Sequence, residues 1–193
     1  MLRLKLPTDP RWVNIAEKNI NEILTDHAYC EQKAASSAIS FIIQYPEYPD
    51  LVDAMSALAI EEMEHFQMVM EQMKKRGCSL GRDRKDLYVG ELRKFFKGGD
   101  RIRQMVDSLL LAAMIEARSC ERFRVLSEGL QEEELKTFYG DLMKSEAMHY
   151  TMFLQFARKF GDGILDVDKK WEDFLEYEAV VIKKFGVKQE IHG

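Results

Sequence analysis

The sequence predicts an all-α chain: a four-helix bundle with a long crossover between its second and third long helices, plus additional N- and C-terminal helices. Three observations carry this expectation. Apolar residues recur at alternating steps of three and four through four long segments, and strand-like alternation is absent. The four segments form two pairs that superpose when shifted by 84–85 residues. Residues 77–99, punctuated by Gly77, Gly81, Gly90 and Gly98-Gly99, separate the pairs and are long enough to run the length of a bundle.

Thr8-Asp9-Pro10 opens the chain's first short helix, over residues 8–18, as an N-cap followed by proline. The first long helix is expected from Asn19 to Tyr45, stopping before Pro46. Its stripe is Ile20, Leu24, His27, Glu31, Ala34, Ala38, Phe41 and Tyr45. Asp50 is expected to cap the second, with stripe Met55, Leu58, Glu62, His65, Val69 and Gln72 and a basic end at Lys74-Lys75-Arg76-Gly77. A short helix at Asp86–Phe96 is expected within the crossover. Asp100 caps the third long helix, with stripe Ile102, Met105, Leu109, Ala112, Glu116, Ser119, Phe123 and Leu126. The fourth follows Gly129, carries Leu135, Tyr139, Leu142, Glu146, His149, Phe153, Phe156 and Phe160, and ends at Gly161. A final amphipathic helix runs from about Val167 to Phe185.

The 193 residues suffice for a single domain over residues 1–193 with a full core. The start, MLRLKLPTDPRW, lacks the apolar stretch of a signal peptide, and no apolar run approaches the length of a membrane span, so a cytoplasmic, soluble protein is expected. Cys30, Cys78 and Cys120 form no C-x-x-C pair, which argues against a disulfide framework or a zinc ribbon; Cys30 and Cys120 read as small buried hydrophobes. Net charge is −5, but its distribution is uneven: residues 74–103 carry +7 and the rest −12. The basic residues of that belt are Lys74, Lys75, Arg76, Arg82, Arg84, Lys85, Arg93, Lys94, Lys97, Arg101 and Arg103. Charge runs are usually solvated faces, yet a concentrated belt is also the footprint a polyanion uses.

The seams themselves carry the chemistry. Glu62 and His65, and again Glu146 and His149, form Glu-x-x-His, placing both side chains of each pair on one helical face. A lone glutamate precedes each pair, Glu31 at 31 residues before Glu62 and Glu116 at 30 before Glu146. Carboxylates on apolar seams are costly unless their charge is compensated, and two metal ions would compensate four at once. One glutamate from each of two helices plus Glu-x-x-His from each of the others is the donor set of ferritin-like di-metal bundles. Oxygen and nitrogen donors without thiolate suit iron or manganese. Glu121 lies about 140° around the helix from Glu116 and faces elsewhere; Glu61 and Glu64 flank the seam and read as solvated. His27, one turn before Glu31, reads as a hydrogen-bonding support for a ligand rather than a seventh ligand. His192 reads as uninvolved. Such a site can store or oxidise iron, handle peroxide or activate O2, and spacing alone leaves these open.

Three stretches narrow the choice. Asp26-His27-Ala28-Tyr29-Cys30-Glu31-Gln32-Lys33-Ala34-Ala35-Ser36, Glu61-Glu62-Met63-Glu64-His65-Phe66 and Glu116-Ala117-Arg118-Ser119-Cys120-Glu121-Arg122-Phe123 resemble the MiaE family, the tRNA-(2-methylthio-N6-isopentenyladenosine) hydroxylases. The resemblance runs from Asp9-Pro10-Arg11-Trp12 to the fourth long helix. It implies a non-haem di-iron monooxygenase with two iron ions per chain, hydroxylating the isopentenyl group of a modified adenosine beside the anticodon with O2 and two electrons from an external donor protein. It also implies that Glu31, Glu62 and His65 serve one side of the cluster and Glu116, Glu146 and His149 the other, with Glu62 and Glu146 as bridges. Ala34, Ala38, Leu58, Ala112 and Phe123 are then candidates to line a dry pocket, and the basic belt would receive the tRNA anticodon stem-loop through its phosphates. The alternative is a ferritin-like iron oxidase or peroxidase, of rubrerythrin or manganese-catalase type, without an RNA substrate.

Overall fold

The computed structural model of the chain describes residues 2–83, 86–185 and 191. Every regular element among them is helical. In order these are α1 (Trp12–Lys18), α2 (Ile20–Gln44), α3 (Pro49–Lys75), α4 (Leu87–Leu92), a 3-10 turn (Arg93–Phe95), α5 (Arg101–Gly129), α6 (Glu133–Gly161) and α7 (Val167–Phe185).

Local chemistry explains the boundaries. At α1 Asp9 organises the turn: its Oδ1 accepts from Arg11 N at 2.9 Å and its carbonyl from Trp12 N at 2.8 Å. Helix α2 ends at Gln44, two residues before Pro46, with Tyr45 N still bonded to Phe41 O at 2.9 Å. At α3 the expected Asp50 cap is corrected. Tyr48 occupies the cap and Pro49 the first helical position, where its fixed φ is already helical, so Asp50 lies inside the first turn against the positive end of the dipole. Helix α3 ends in a Schellman turn: Gly77 has φ +67°, Cys78 N donates to Met73 O and Gly77 N to Lys74 O, both at 3.0 Å. The crossover helix is shorter than expected, since α4 gives way to the 3-10 turn at Arg93; Asp86 caps it through Val89 N at 2.8 Å. Asp100 caps α5 through Arg103 N at 3.0 Å. Gly161 closes α6 where a Cβ would clash with Val167 Cγ2.

The helices divide into two compact units, each described in turn. One contains α2, α3 and Ile191, whose N–H donates to Asp26 at 2.7 Å. It is an antiparallel hairpin whose α3 seam, Met55, Leu58, Glu62, His65, Val69 and Gln72, is buried as expected. On α2 the buried face shifts slightly: Ile23, Ala28 and Ala35 are buried, while Ile20 and Ala34 are partly exposed. Cys30 is half-buried, correcting the expectation of a buried thiol; Cys120 is buried.

The other unit contains the N-terminal segment to Glu17 and α4 to α7. The short α5–α6 connection makes a second antiparallel hairpin. Helix α5 is buried on two faces: Met105, Leu109, Glu116 and Phe123 form the expected seam, while Val106, Leu110, Ala117 and Arg118 are also buried. Phe95 and Phe96 anchor the crossover to α7, with ring centroids 4.9 and 4.8 Å from Phe174.

Candidate metal centre and nucleic-acid surface

In the α2–α3 hairpin, Glu31, Glu62 and His65 each offer a ligand atom within 4.8 Å of the others. All three are buried, Glu62 to 1% exposure. His65 Nδ1 lies 3.5 Å from Glu62 Oε2 and 3.7 Å from Glu31 Oε2. Helix spacing explains this: Glu62 and His65 share one face of α3, and Glu31 meets them from α2. Fully buried His27 places Nε2 2.5 Å from Glu31 Oε1, holding that carboxylate from one turn away. Glu61 is only partly solvated, with an oxygen 3.9 Å from His65 Nε2; Glu64 is exposed.

The electrostatics are those of a cation site. Burial pushes the Glu31 carboxyl up to about 8, with Glu62 adding to it and His65 opposing. Burial disfavours the His65 cation, but the neighbouring carboxylates of Glu31 and Glu62 override it and raise the imidazole to about 10. Carboxylates held so far from water are stabilised when a cation is shared among them.

The α5–α6 hairpin repeats the set. Glu116, Glu146 and His149 are buried to 5%, 3% and 4% exposure. Glu116 on α5 and His149 on α6 offer ligand atoms within 4.8 Å of each other. Glu146 sits one turn before His149 on the same face. Burial pushes the nearby Cys120 thiol up to about 11, which leaves it protonated and chemically quiet. These buried carboxylates and imidazoles fit a metal: the donors are hard oxygens and neutral-capable nitrogens, and no thiolate competes among them.

The segment Glu116–Phe123 also carries a network that spacing alone did not reveal. Arg118 is fully buried and donates to Glu178 at 2.6 Å, to Glu121 at 3.0 Å and to the Leu6 carbonyl at 3.1 Å. Tyr88 donates to Glu178 at 2.8 Å and Thr8 N to Glu121 at 2.8 Å. The Arg122 guanidinium stacks 4.0 Å over the Trp12 ring. Glu121 therefore faces away from the metal residues, as its angle requires, and ties α5 to the N-terminal segment.

Of the basic belt, Arg84 and Lys85 lie outside the described residues, as does His192. Lys74, Lys75 and Arg82 are exposed and Arg76 half-buried in the α2–α3 unit. In the other unit Arg93, Lys94, Lys97, Arg101 and Arg103 are exposed; Lys94 pairs with Glu91 at 2.7 Å and Arg103 with Asp100. No helix among the described residues is long and apolar enough to cross a membrane.

The family model described as tRNA-(MS[2]IO[6]A)-hydroxylase (MiaE) matches residues 2–193. A tRNA 2-(methylsulfanyl)-N(6)-isopentenyladenosine(37) hydroxylase from Pseudomonas putida is 42% identical over 159 residues, covering 82% of this chain and 77% of that protein. The enzyme of the same name from Salmonella typhimurium is 29% identical over 228 residues, covering 93% and 83%. A solved structure of protein 43 with aldehyde deformylating oxygenase activity, from Synechococcus, matches with a TM-score of 0.87 at 32% identity, covering 98% of this chain and 95% of that one. The helical architecture is accordingly of the ferritin-like class. With its duplicated buried Glu-x-x-His pairs and a match along all but its first residue, this chain belongs to the MiaE family of tRNA hydroxylases.

Proposed function

We propose that the protein is an O2-dependent non-haem di-iron hydroxylase of tRNA, acting on the isopentenyl group of (2-methylthio-)N6-isopentenyladenosine next to the anticodon. The family match over residues 2–193 carries this reading. The six residues Glu31, Glu62, His65, Glu116, Glu146 and His149 hold two iron ions per chain, and the whole chain works as one di-iron domain. Bound there, two irons would supply the chemistry of O2 activation: with two electrons from an external donor protein and two protons, one oxygen would enter the C–H bond and the other would leave as water.

The remaining work falls to the chain. His27 orients Glu31 through its 2.5 Å contact. Buried apolar residues, including Ala38, Leu58 and Phe123, keep water from the reacting methyl. The basic residues of the belt engage tRNA phosphates and position the anticodon loop without reading its sequence. A tRNA substrate places the protein in the cytoplasm. An iron oxidase or peroxidase without an RNA substrate is not favoured, because the matched relatives carry the tRNA hydroxylase name.

The test is nucleoside analysis of prenylated tRNA after incubation with reduced, iron-loaded protein and O2. The expected product is the prenyl adenosine heavier by one oxygen atom, absent when O2 is withheld. An unchanged nucleoside with fully loaded protein would overturn the assignment.

A further inference from the structure

A polar cleft of about 400 Å³ opens at the end of the α2–α3 hairpin, between the first turns of α2 and the loop that follows α3. It lies about 16 Å along the α3 axis from His65, at a rise of 1.5 Å per residue, and shares no residue with the metal set. Its volume falls in the range of small-ligand sites.

The walls are preformed. The Gly77 turn reverses the chain at the end of α3, and the loop is then strapped to α2: Tyr29 donates to the Gly81 carbonyl at 2.8 Å, and Lys33 pairs with Asp83 at 2.6 Å. A Cβ at Gly81 would come to 3.4 Å from Thr25, so the loop rests on α2 at that point. Arg76 is ordered before any ligand arrives, because its Nη1 donates to the carbonyl and side-chain oxygens of Gln72 at 2.8 and 2.7 Å. Arg82 reaches the cleft from the loop, exposed and with no ion pair among the described residues.

The lining is divided by chemistry. Arg76 and Arg82 come from the α3 side with the Ser79 hydroxyl; Asn21, Glu22 and Thr25 come from α2. Guanidinium groups suit a phosphodiester, which they bind through paired N–H donors. A carboxylate beside an amide suits vicinal ribose hydroxyls, which donate to it, and the 2′-hydroxyl is what separates RNA from DNA. An apolar ligand would find little to bury against, and a bare polyanion would be repelled by Glu22.

We propose that this cleft seats one ribonucleotide of the substrate RNA a few nucleotides from the modified adenosine, its phosphodiester on Arg76 and Arg82 and its ribose on Glu22 and Asn21. The inference rests on the tRNA reading above and deepens it, assigning to RNA two α2 residues, Asn21 and Glu22, that lie outside the basic belt. It makes the cleft a positioning site, holding the loop in register while the prenyl group reacts elsewhere.

The experiment is an anisotropy titration of iron-loaded full-length protein with a fluorescent prenylated anticodon stem-loop, beside the hydroxylation assay. Arg82→Glu, an exposed loop substitution, is expected to weaken binding at least about tenfold and to reduce the log–log salt slope by roughly 0.7 per lost single-strand phosphate contact. Glu22→Gln is expected to lose the preference for the RNA stem-loop over one with 2′-deoxyribose in the loop. Adenosine monophosphate, the free-nucleotide probe, is expected to bind far more weakly than the stem-loop and to compete with it. If wild-type protein hydroxylates prenylated tRNA while Arg82→Glu binds and turns over as wild type does, the cleft assignment fails and the function stands. Tight binding of the monophosphate without competition would also overturn it, marking a free-nucleotide site. If wild-type protein neither binds nor hydroxylates the RNA, the functional reading falls and the cleft assignment falls with it.

Discussion

His27 is placed to support Glu31, one of the proposed metal ligands. Fully buried and 2.5 Å from Glu31, it fixes the carboxylate's rotamer and keeps one oxygen engaged, leaving the other directed toward His65. Supports of this kind are typically worth 10–100-fold in metal affinity. His27→Ala is therefore expected to weaken iron binding by about that factor in a chelator competition, with His27→Gln recovering part of it and the helical circular dichroism unchanged. Unaltered affinity in the alanine variant would show that Glu31 needs no such support. The seam positions of Glu31, Glu62, His65, Glu116, Glu146 and His149 were legible because the 3.6-residue period places them with the apolar stripe. The contact of Glu61 with His65 follows from the same period: Glu61 lies four residues before His65 on α3, and its oxygen reaches 3.9 Å from the imidazole although a flanking position was expected to be solvated.

Among the elements, α5 behaves least like its sequence pattern. Its seam was legible, but Glu121 was expected only to face away from Glu116, and the seam says nothing of Arg118 and Arg122; the structure buries all three. Charged side chains enter a core only with partners, and here those partners, Thr8, Tyr88 and Glu178, lie far away in sequence, where no periodicity connects them. Removing one member strands the others. Arg118→Ala is expected to cost about 3–5 kcal/mol, a fall of roughly 6–20 °C in Tm for a chain of this size. A shift within a degree or two in a thermal melt would show the network to be dispensable. The α6–α7 turn makes a second, steric prediction. A Cβ at Gly161 would clash with Val167 Cγ2, so Gly161→Ala is expected to destabilise by about 1–3 kcal/mol through overpacking, read as a lower urea midpoint. Boundaries set by Gly77 and Asp100 were legible from capping chemistry, whereas the start of α3 was not: Pro49 at its first position displaced the cap from Asp50 to Tyr48.

For the whole molecule, metal and RNA are linked to stability and charge. A metal that binds only the folded chain stabilises it by about 2.7 kcal/mol at a hundredfold excess over Kd, so chelation of the iron should lower Tm by roughly 5–11 °C, and iron should restore it. Binding to tRNA should weaken steeply with salt. Charge reversal at Arg93 and Lys97, which make no ion pair among the described residues, should flatten that dependence more than reversal at Lys94, already held by Glu91 at 2.7 Å. An equal effect at all three would show that existing pairs do not decide which cations meet RNA. The duplicated Glu-x-x-His pattern made the ferritin-like class legible from spacing, while the substrate came from the residues around it and from the family they identify. The central claim, that the two buried triads act together as one di-iron centre, is tested most directly by Mössbauer spectroscopy of the protein loaded with 57Fe. The account predicts about two irons per chain in a spin-coupled, EPR-silent diferric pair, lost when Glu62 or Glu146 becomes alanine. Isolated mononuclear high-spin iron at about one per chain, indifferent to either substitution, would contradict it.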